Sequence, residues 1–304
     1  MRELLERIVK DCGETWREGT VATYIPELAK ARPDAAGLSA CDLSSGLFSA
    51  GDHSYAFTMQ SVSKIVSLAL ALSTRGGDAV FSRVGMAPLA DPFNSIMRLE
   101  MDTAHRPHNP LINSGAITVL SLLPWKDSSG RSAAVKDLAS RMTGNPEIAV
   151  NEAVFASERA TAARNRALAW FLRSVGNLDG DVEDILESYF CQCSLMATSD
   201  DLAVLGATLA SGGRNPITGE RVLAPEVAAT MRTIMATCGM YDGSGEFAVL
   251  AGIPAKSGVG GGIAASVRGR MGIGTCGPSD GRGNSVAGVC MLSRFSRELD
   301  LRIY

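Results

Sequence analysis

Histidine is scarce in this chain: its 304 residues include three, His53, His105 and His108. His105 and His108 have a ligand-like spacing, but Pro107 and Pro110 break any helix that would present both to one ion. No cysteine pair has the C-x-x-C spacing. Cys191-x-Cys193 comes nearest and lacks a second pair, so no metal site is expected. Seven cysteines, an odd number at irregular intervals, predict buried reduced thiols rather than a disulfide framework. No apolar run approaches the roughly 18 residues of a membrane span. The longest, Ile65 to Leu72, has the length of a buried helix. Charge of one sign is also missing. Twenty-nine Lys and Arg stand against 32 Asp and Glu, a net charge of −3, so no basic surface points to nucleic acid. The opening Met1-Arg2-Glu3-Leu4-Leu5-Glu6-Arg7 is charged and amphipathic, unlike a signal peptide, which predicts a cytoplasmic protein. A homo-oligomer, dimer or tetramer, is the expected assembly.

What the chain does have is a serine three residues before a lysine. In Gln60-Ser61-Val62-Ser63-Lys64, followed by Ile65, Val66 and Leu68, a helix opening at Gln60 or Ser61 puts Ser61 and Lys64 on one face. The serine then lies at a helix N-terminus, where backbone N–H groups are unpaired and negative charge is favoured. Acyl transfer needs this: a hydroxyl, a base within reach, and donors for the oxyanion. Ser-x-x-Lys by itself matches many helix caps followed by a solvated lysine. The apolar flank says that this lysine enters a core.

A second lysine stands in Lys256-Ser257-Gly258, followed by Val259 and a glycine run. It resembles the Lys-Thr-Gly element that lines Ser-x-x-Lys sites from a strand. The N–H of Val259 would join that of Ser61 as an oxyanion hole. Two other matches are decoys. Ser199-Asp200-Asp201 opens a helix, and capping explains it. Gly272-x-Gly274-x-x-Gly277 precedes a turn rather than a helix, which excludes a dinucleotide site.

Along the chain, residues 1–18 read as a helix and 37–58 as a hairpin. Helices are expected from Ser61 to Gly76, over Ile117–Leu123, Ser132–Thr143, Glu152–Asn177 and Val182–Gln192, after Thr198, and over Pro225–Thr237. Short strands follow at Phe247–Gly252, Gly261–Val267 and Met271–Thr275, then a helix in Ser285–Arg302. Strands at both ends with helices between them predict an α/β (α+β) fold. Its sheet subdomain comes from 1–59 and 238–304, its helical subdomain from 60–237, and a cleft lies between them.

Longer stretches carry a resemblance. Tyr24-Ile25-Pro26-Glu27-Leu28, Gln60 to Lys64, Asn109 to Ile117, Ser157-Glu158 with Arg164-Asn165, Tyr189-Phe190 before Cys193-Ser194, Cys238 to Asp242, and Pro254 to Ile263 resemble the serine-dependent glutaminases. The resemblance spans roughly residues 20 to 295. It implies a β-lactamase or penicillin-binding-protein-like fold, a mixed antiparallel sheet flanked by terminal helices with an inserted helical subdomain, and one glutaminase domain over 1–304. It implies hydrolysis of L-glutamine to L-glutamate and ammonia without a cofactor. Ser61 is then the nucleophile and Lys64 its base, Tyr241 borders the substrate, and Tyr241 or Lys64 is expected to protonate the departing ammonia. Tyr24, Asn113, Glu158, Asn165, Tyr189 and Val259 line the substrate site, with Gln60 and Lys256 in support. Glutamine needs an anion for its ammonium, which Glu158 would supply, and uncharged donors for its carboxylate, which Asn113, Asn165 and Tyr189 would supply. Ser114 and Cys41 depart from the family pattern without touching this chemistry.

Overall fold

A computed structural model of the chain describes residues 1–89 and 91–303. Helix α1 (Arg2–Cys12) turns Leu5, Ile8 and Cys12 inward at helical spacing. Strands β1 (Gly37–Asp42) and β2 (Gly46–Gly51) form a tight hairpin. After the two-residue strand β3 (Phe57–Thr58), α2 (Lys64–Arg75) runs through the middle of a helical layer. That layer comprises α3 (Gly77–Arg83), α4 (Met97–Met101), α5 (Asn113–Ser121), α6 (Ser128–Thr143), α7 (Glu152–Thr161), α8 (Ala163–Ser174) and α9 (Val182–Cys193). Strand β4 (Met196–Ala197) pairs with β3. Then come α10 (Ser199–Ala210), α11 (Pro225–Cys238), α12 (Ser244–Leu250), β5 (Ala255–Ser257), β6 (Gly262–Val267), β7 (Met271–Cys276) and α13 (Val286–Glu298).

The larger sheet has the order β2-β1-β7-β6-β5, with every neighbouring pair antiparallel. The two ends of the chain meet at the β1–β7 pairing. Leu5 and Ile8 of α1, with Met291, Leu292 and Phe295 of α13, cover one face together with Leu38, Ala40 and Ile273. Helix α10 lies against the other face. Strands β6 and β7 are therefore buried along their whole length, as expected of strands covered on both sides. The approach of α10 is close enough to demand glycine. A Cβ on Gly272 would sit 1.9 Å from Ala207 N and 2.1 Å from Ala203 O. The dinucleotide-like glycine pattern thus serves helix-on-sheet packing.

Several expectations need correction. Phe247–Gly252 is no strand; most of it lies in α12, with Phe247 buried and Val249 76% exposed. A short apolar run does not by itself separate strand from helix. Glu152–Asn177 is not one helix: α7 and α8 are separated at Ala162, whose ψ of 24 departs from helical geometry. Helix α5 begins at Asn113, four residues before the expected start. The cysteines are not all free. Cys12 and Cys290 form a disulfide between α1 and α13, while Cys41, Cys191, Cys193, Cys238 and Cys276 remain thiols. Irregular spacing carried no trace of that bond, because its partners are 278 residues apart in sequence.

Capping also explains only part of Ser199-Asp200-Asp201. Thr198 and Asp201 close a capping box on α10. Asp200 instead binds the hairpin. It accepts from Ser39 Oγ at 2.6 Å and from Ser49 Oγ, and lies 2.8 Å from His53 Nδ1.

Candidate active site

Ser61 is delivered by a sharp change of backbone direction. Strand β3 ends at Thr58, Met59 N–H donates to Leu195 O, and Gln60 takes a left-handed φ of 46°. A 3-10 turn, Gln60–Ser63, then leads into α2. A left-handed glutamine is uncommon, and such strain is retained where surroundings over-determine it. Ser61 is 7% exposed and Lys64, one turn on, 1%. Lys64 Nζ donates to Asn113 Oδ1 at 2.6 Å and to Leu111 O at 3.3 Å, and not to Ser61 Oγ. Asn113 Nδ2 in turn donates to Asn165 Oδ1 at 2.9 Å. Burial lowers the Lys64 ammonium to about 8, against the opposing pull of Cys193 and Glu158.

Tyr241 arrives from the other half of the chain, in a turn after α11, and it too has a left-handed φ, 55°. Its hydroxyl finds no partner of good hydrogen-bond geometry. Burial pushes the phenol up; its neighbours Ser61 and the Val259 N–H pull the other way. Lys256 on β5 is fully buried, donates to Gly239 O and Ser257 O, and holds Nζ 4.1 Å from the Tyr241 ring centre. Burial, and then the charge of Lys64, push the Lys256 ammonium far down. Lys64 feels no matching push from Lys256.

Glycine lets the two halves touch. A Cβ on Gly258 would lie 2.5 Å from Met59 O and 3.3 Å from Ser61 N. Ser61 N–H and Val259 N–H lie on either side of this approach, and among the described residues neither donates to a backbone acceptor outside its own element. The Val259 N–H faces the Tyr241 hydroxyl.

A cavity of about 70 Å³ brings together Tyr24, Gln60, Ser61, Asn113, Glu158, Asn165 and Tyr189. Lys64 and Lys256 lie behind its wall; Tyr241 and Val259 border neighbouring spaces. Two roomier cavities, about 290 and 370 Å³, contain neither Ser61 nor Lys64. A cavity-lining serine one turn from a buried lysine, rather than volume, sets the smaller cavity apart.

Glu158, 5% exposed, has an Oε2 with no partner. Burial raises its carboxyl to about 8, with Gln60, Lys64 and Cys193 opposing. A buried carboxyl with an unpartnered oxygen suits an incoming ammonium. Tyr189 is buried and its phenol is pushed up by burial and by Cys193 and Glu158. The Tyr24 residue is 56% exposed. Its hydroxyl end is nonetheless crowded, and burial there, with Tyr241, Glu158 and Cys193, opposes ionisation.

Sequence reading missed Phe93, Asn94 and Cys193. Phe93 lines the cavity and stacks on Tyr241 at 5.0 Å. An aromatic in an irregular stretch was the available signal. Cys193 is a buried thiol beside Glu158 and Tyr189.

The glutaminase family profile matches residues 19–304. The chain belongs to the glutaminase family. As a glutaminase it is a hydrolase. It is 48% identical to a glutaminase of Clostridium botulinum and 47% identical to one of Clostridium tetani, each over 100% of both chains. It also resembles a Bacillus subtilis glutaminase solved as a covalent complex with 5-oxo-L-norleucine, formed by reaction with 6-diazo-5-oxo-L-norleucine. That likeness has a TM-score of 0.91 and 36% identity, over 100% of this chain and 99% of the other. The fold of this glutaminase is the β-lactamase-like one of its bacterial structural neighbours, here with an all-antiparallel sheet. No helix among the described residues is long and apolar enough to cross a membrane.

Proposed function

We propose that this glutaminase hydrolyses the side-chain amide of L-glutamine to L-glutamate and ammonia through an acyl-enzyme on Ser61, with Lys64 as general base. One observation carries the reading: a cavity-lining serine at the entry to α2 lies one helical turn from a buried lysine whose pKa is lowered to about 8. The relative trapped covalently by a glutamine-like diazoketone supports the substrate class.

In this mechanism neutral Lys64 turns from Asn113 and takes the Ser61 proton. Oγ bonds to the amide carbon, and the N–H groups of Ser61 and Val259 hold the oxyanion. The C–N bond breaks as nitrogen takes a proton from Tyr241 or Lys64, and ammonia leaves. Water, deprotonated by the same base, cleaves the ester and frees glutamate. Lys256 supports Tyr241 from below its ring. Glu158 receives the substrate ammonium, and Asn113, Asn165, Tyr189 and Tyr24 bind the rest, with Gln60 turned toward Glu158. The site serves one unit of residues 1–304, at the seam between a sheet part (1–59 and 238–304) and a helical part (60–237). We place that unit in the cytoplasm as a homo-oligomer, with no nucleic-acid or membrane partner.

The test is chemical trapping with ammonia release. The diazoketone should add one adduct, on Ser61, and extinguish turnover of glutamine. Ser61→Ala should stay folded, take no adduct and release no ammonia. An adduct elsewhere, or turnover by the alanine variant, overturns the proposal.

A further inference from the structure

The cavity of about 370 Å³ holds none of the Ser61 machinery, yet its walls include the residues that frame Tyr241. Met240 and Gly243, on either side of Tyr241 in the turn, line it. So do Asp280, Arg282 and Asn284, from the loop whose Gly283 packs on the Tyr241 ring; a Cβ on Gly283 would lie 3.0 Å from that ring. Three carboxylates, Glu18, Glu246 and Asp280, line the cavity with a single cation, Arg282. Arg282 is already shared: it donates to Glu246 Oε2 at 2.9 Å and to Asp280 Oδ2 at 3.4 Å. Glu18 enters no ion pair among the described residues, and its neighbour Arg17 pairs with Glu14. Asn284 is 4% exposed. Its Nδ2 donates to Met240 O at 3.4 Å, which leaves Oδ1 buried without a partner. A buried acceptor left unmade is costly and calls for a donor. Phe247, Leu250, Val286 and Val289 supply apolar surface in the same cavity.

We propose that this cavity is a second binding site, for an organic cation that carries a primary ammonium on a short aliphatic chain. The groups it leaves unmet are acceptors, the Glu18 carboxylate and the Asn284 carboxamide oxygen. An ammonium brings donors and a positive charge to that set and nothing that needs a donor in return. The excess of carboxylates repels anions. No group of metal-ligating side chains occurs among the described residues, which sets a bare metal ion aside, and the apolar wall suits an alkyl chain. Asp280 ties the site to Tyr241. Burial is the first cause of the raised phenol, and the charge of Asp280 adds to it. A cation beside Asp280 offsets that charge, so the Tyr241 hydroxyl gives up its proton more readily. Occupancy then speeds the loss of ammonia. That link rests on the proposed mechanism, whereas binding does not.

The experiment titrates n-butylammonium chloride into wild type and Glu18→Gln at fixed ionic strength, by calorimetry and by glutamine turnover, with n-butanol as the uncharged control. Glu18 is exposed, so the variant should fold and turn over glutamine like wild type when no amine is present. Wild type should bind the amine with a Kd of about 5 mM. At saturation kcat should rise about twofold, with KM within about 1.5-fold. n-Butanol should bind at least about tenfold more weakly. E18Q should bind the amine about threefold more weakly or worse. No binding up to about 100 mM amine would overturn the site. Equal binding of n-butanol would overturn the cation class, and an unchanged affinity in E18Q would overturn the location. A rise in KM alone would place the amine in the Ser61 cavity and overturn the proposal. Binding with kcat unchanged would overturn the link to Tyr241. A wild type that releases no ammonia from glutamine would instead overturn the glutaminase reading, and calorimetry would still decide the site.

Discussion

Two buried groups of opposite charge set the pH behaviour of this molecule. Glu158 and Lys64 are both displaced to about 8, from 4.5 and 10.5. In each case burial is the main cause, because it disfavours whichever form is charged. The proposed mechanism needs Lys64 neutral and Glu158 ionised, so both requirements are met as pH rises. We expect kcat/KM for glutamine to climb through about pH 8, more steeply than a single proton would give. A profile flat from about pH 6 to about pH 9 would contradict this. Stability runs differently for the two. The raised carboxyl of Glu158 contributes stability that is present below about 4.5 and is lost as pH rises through about 8. The lowered Lys64 contributes stability that is present above about 10.5 and is lost as pH falls through about 8. Glu158→Gln should therefore flatten the fall in melting temperature between about pH 4.5 and about pH 8, and thermal scans at several pH values read it directly. The same variant should raise KM by tenfold or more, about 1.4 kcal/mol or above. These residues were legible in the sequence because their types announce chemistry.

At the scale of elements, the decisive contact lies between the turn after β5 and the segment entering α2. Gly258 allows it, and no side chain fits between that turn and Met59 O. Gly258→Ala should displace Val259 N–H from Ser61 and lower kcat about tenfold or more, with KM changed less; steady-state kinetics on the folded variant decide this. A second element-scale prediction concerns α10, which seals one face of the sheet. Thr198 and Asp201 satisfy its first turn reciprocally. Thr198→Ala should cost about 1 kcal/mol, seen as a lower denaturant midpoint with an unchanged slope. That cap was readable in Thr198-Ser199-Asp200-Asp201. The break at Ala162 was not. Thr161-Ala162-Ala163 has nothing that stops a helix, and the interruption is imposed by packing that brings Glu158 and Asn165 to one cavity.

At the scale of the whole molecule, the ends of the chain are joined three times. Strand β1 pairs with β7, α1 packs with α13 over the sheet, and Cys12 bonds to Cys290. The covalent link restrains the unfolded chain across 278 residues of sequence. Its reduction should lower stability by about 2–4 kcal/mol. Thermal unfolding with and without a thiol reductant checks this, and Cys12→Ser should reproduce the reduced protein. The reductant should leave glutamine turnover intact at moderate temperature, because neither cysteine lines the Ser61 cavity.

Local order, residue chemistry and the family itself were properties of the sequence alone. Periodicity marks α1, the caps mark α10, glycine density marks the strands near the C-terminus, and Ser61 with Lys64 announces acyl transfer. These signals act over a few residues, so they survive in one dimension. The tertiary structure decided the rest: the shifted protonation of Glu158 and Lys64, the split between α7 and α8, the closeness of Gly258 to Ser61, and the pairing of Cys12 with Cys290. Each depends on which distant groups exclude water from one another, and burial is a property of the folded chain.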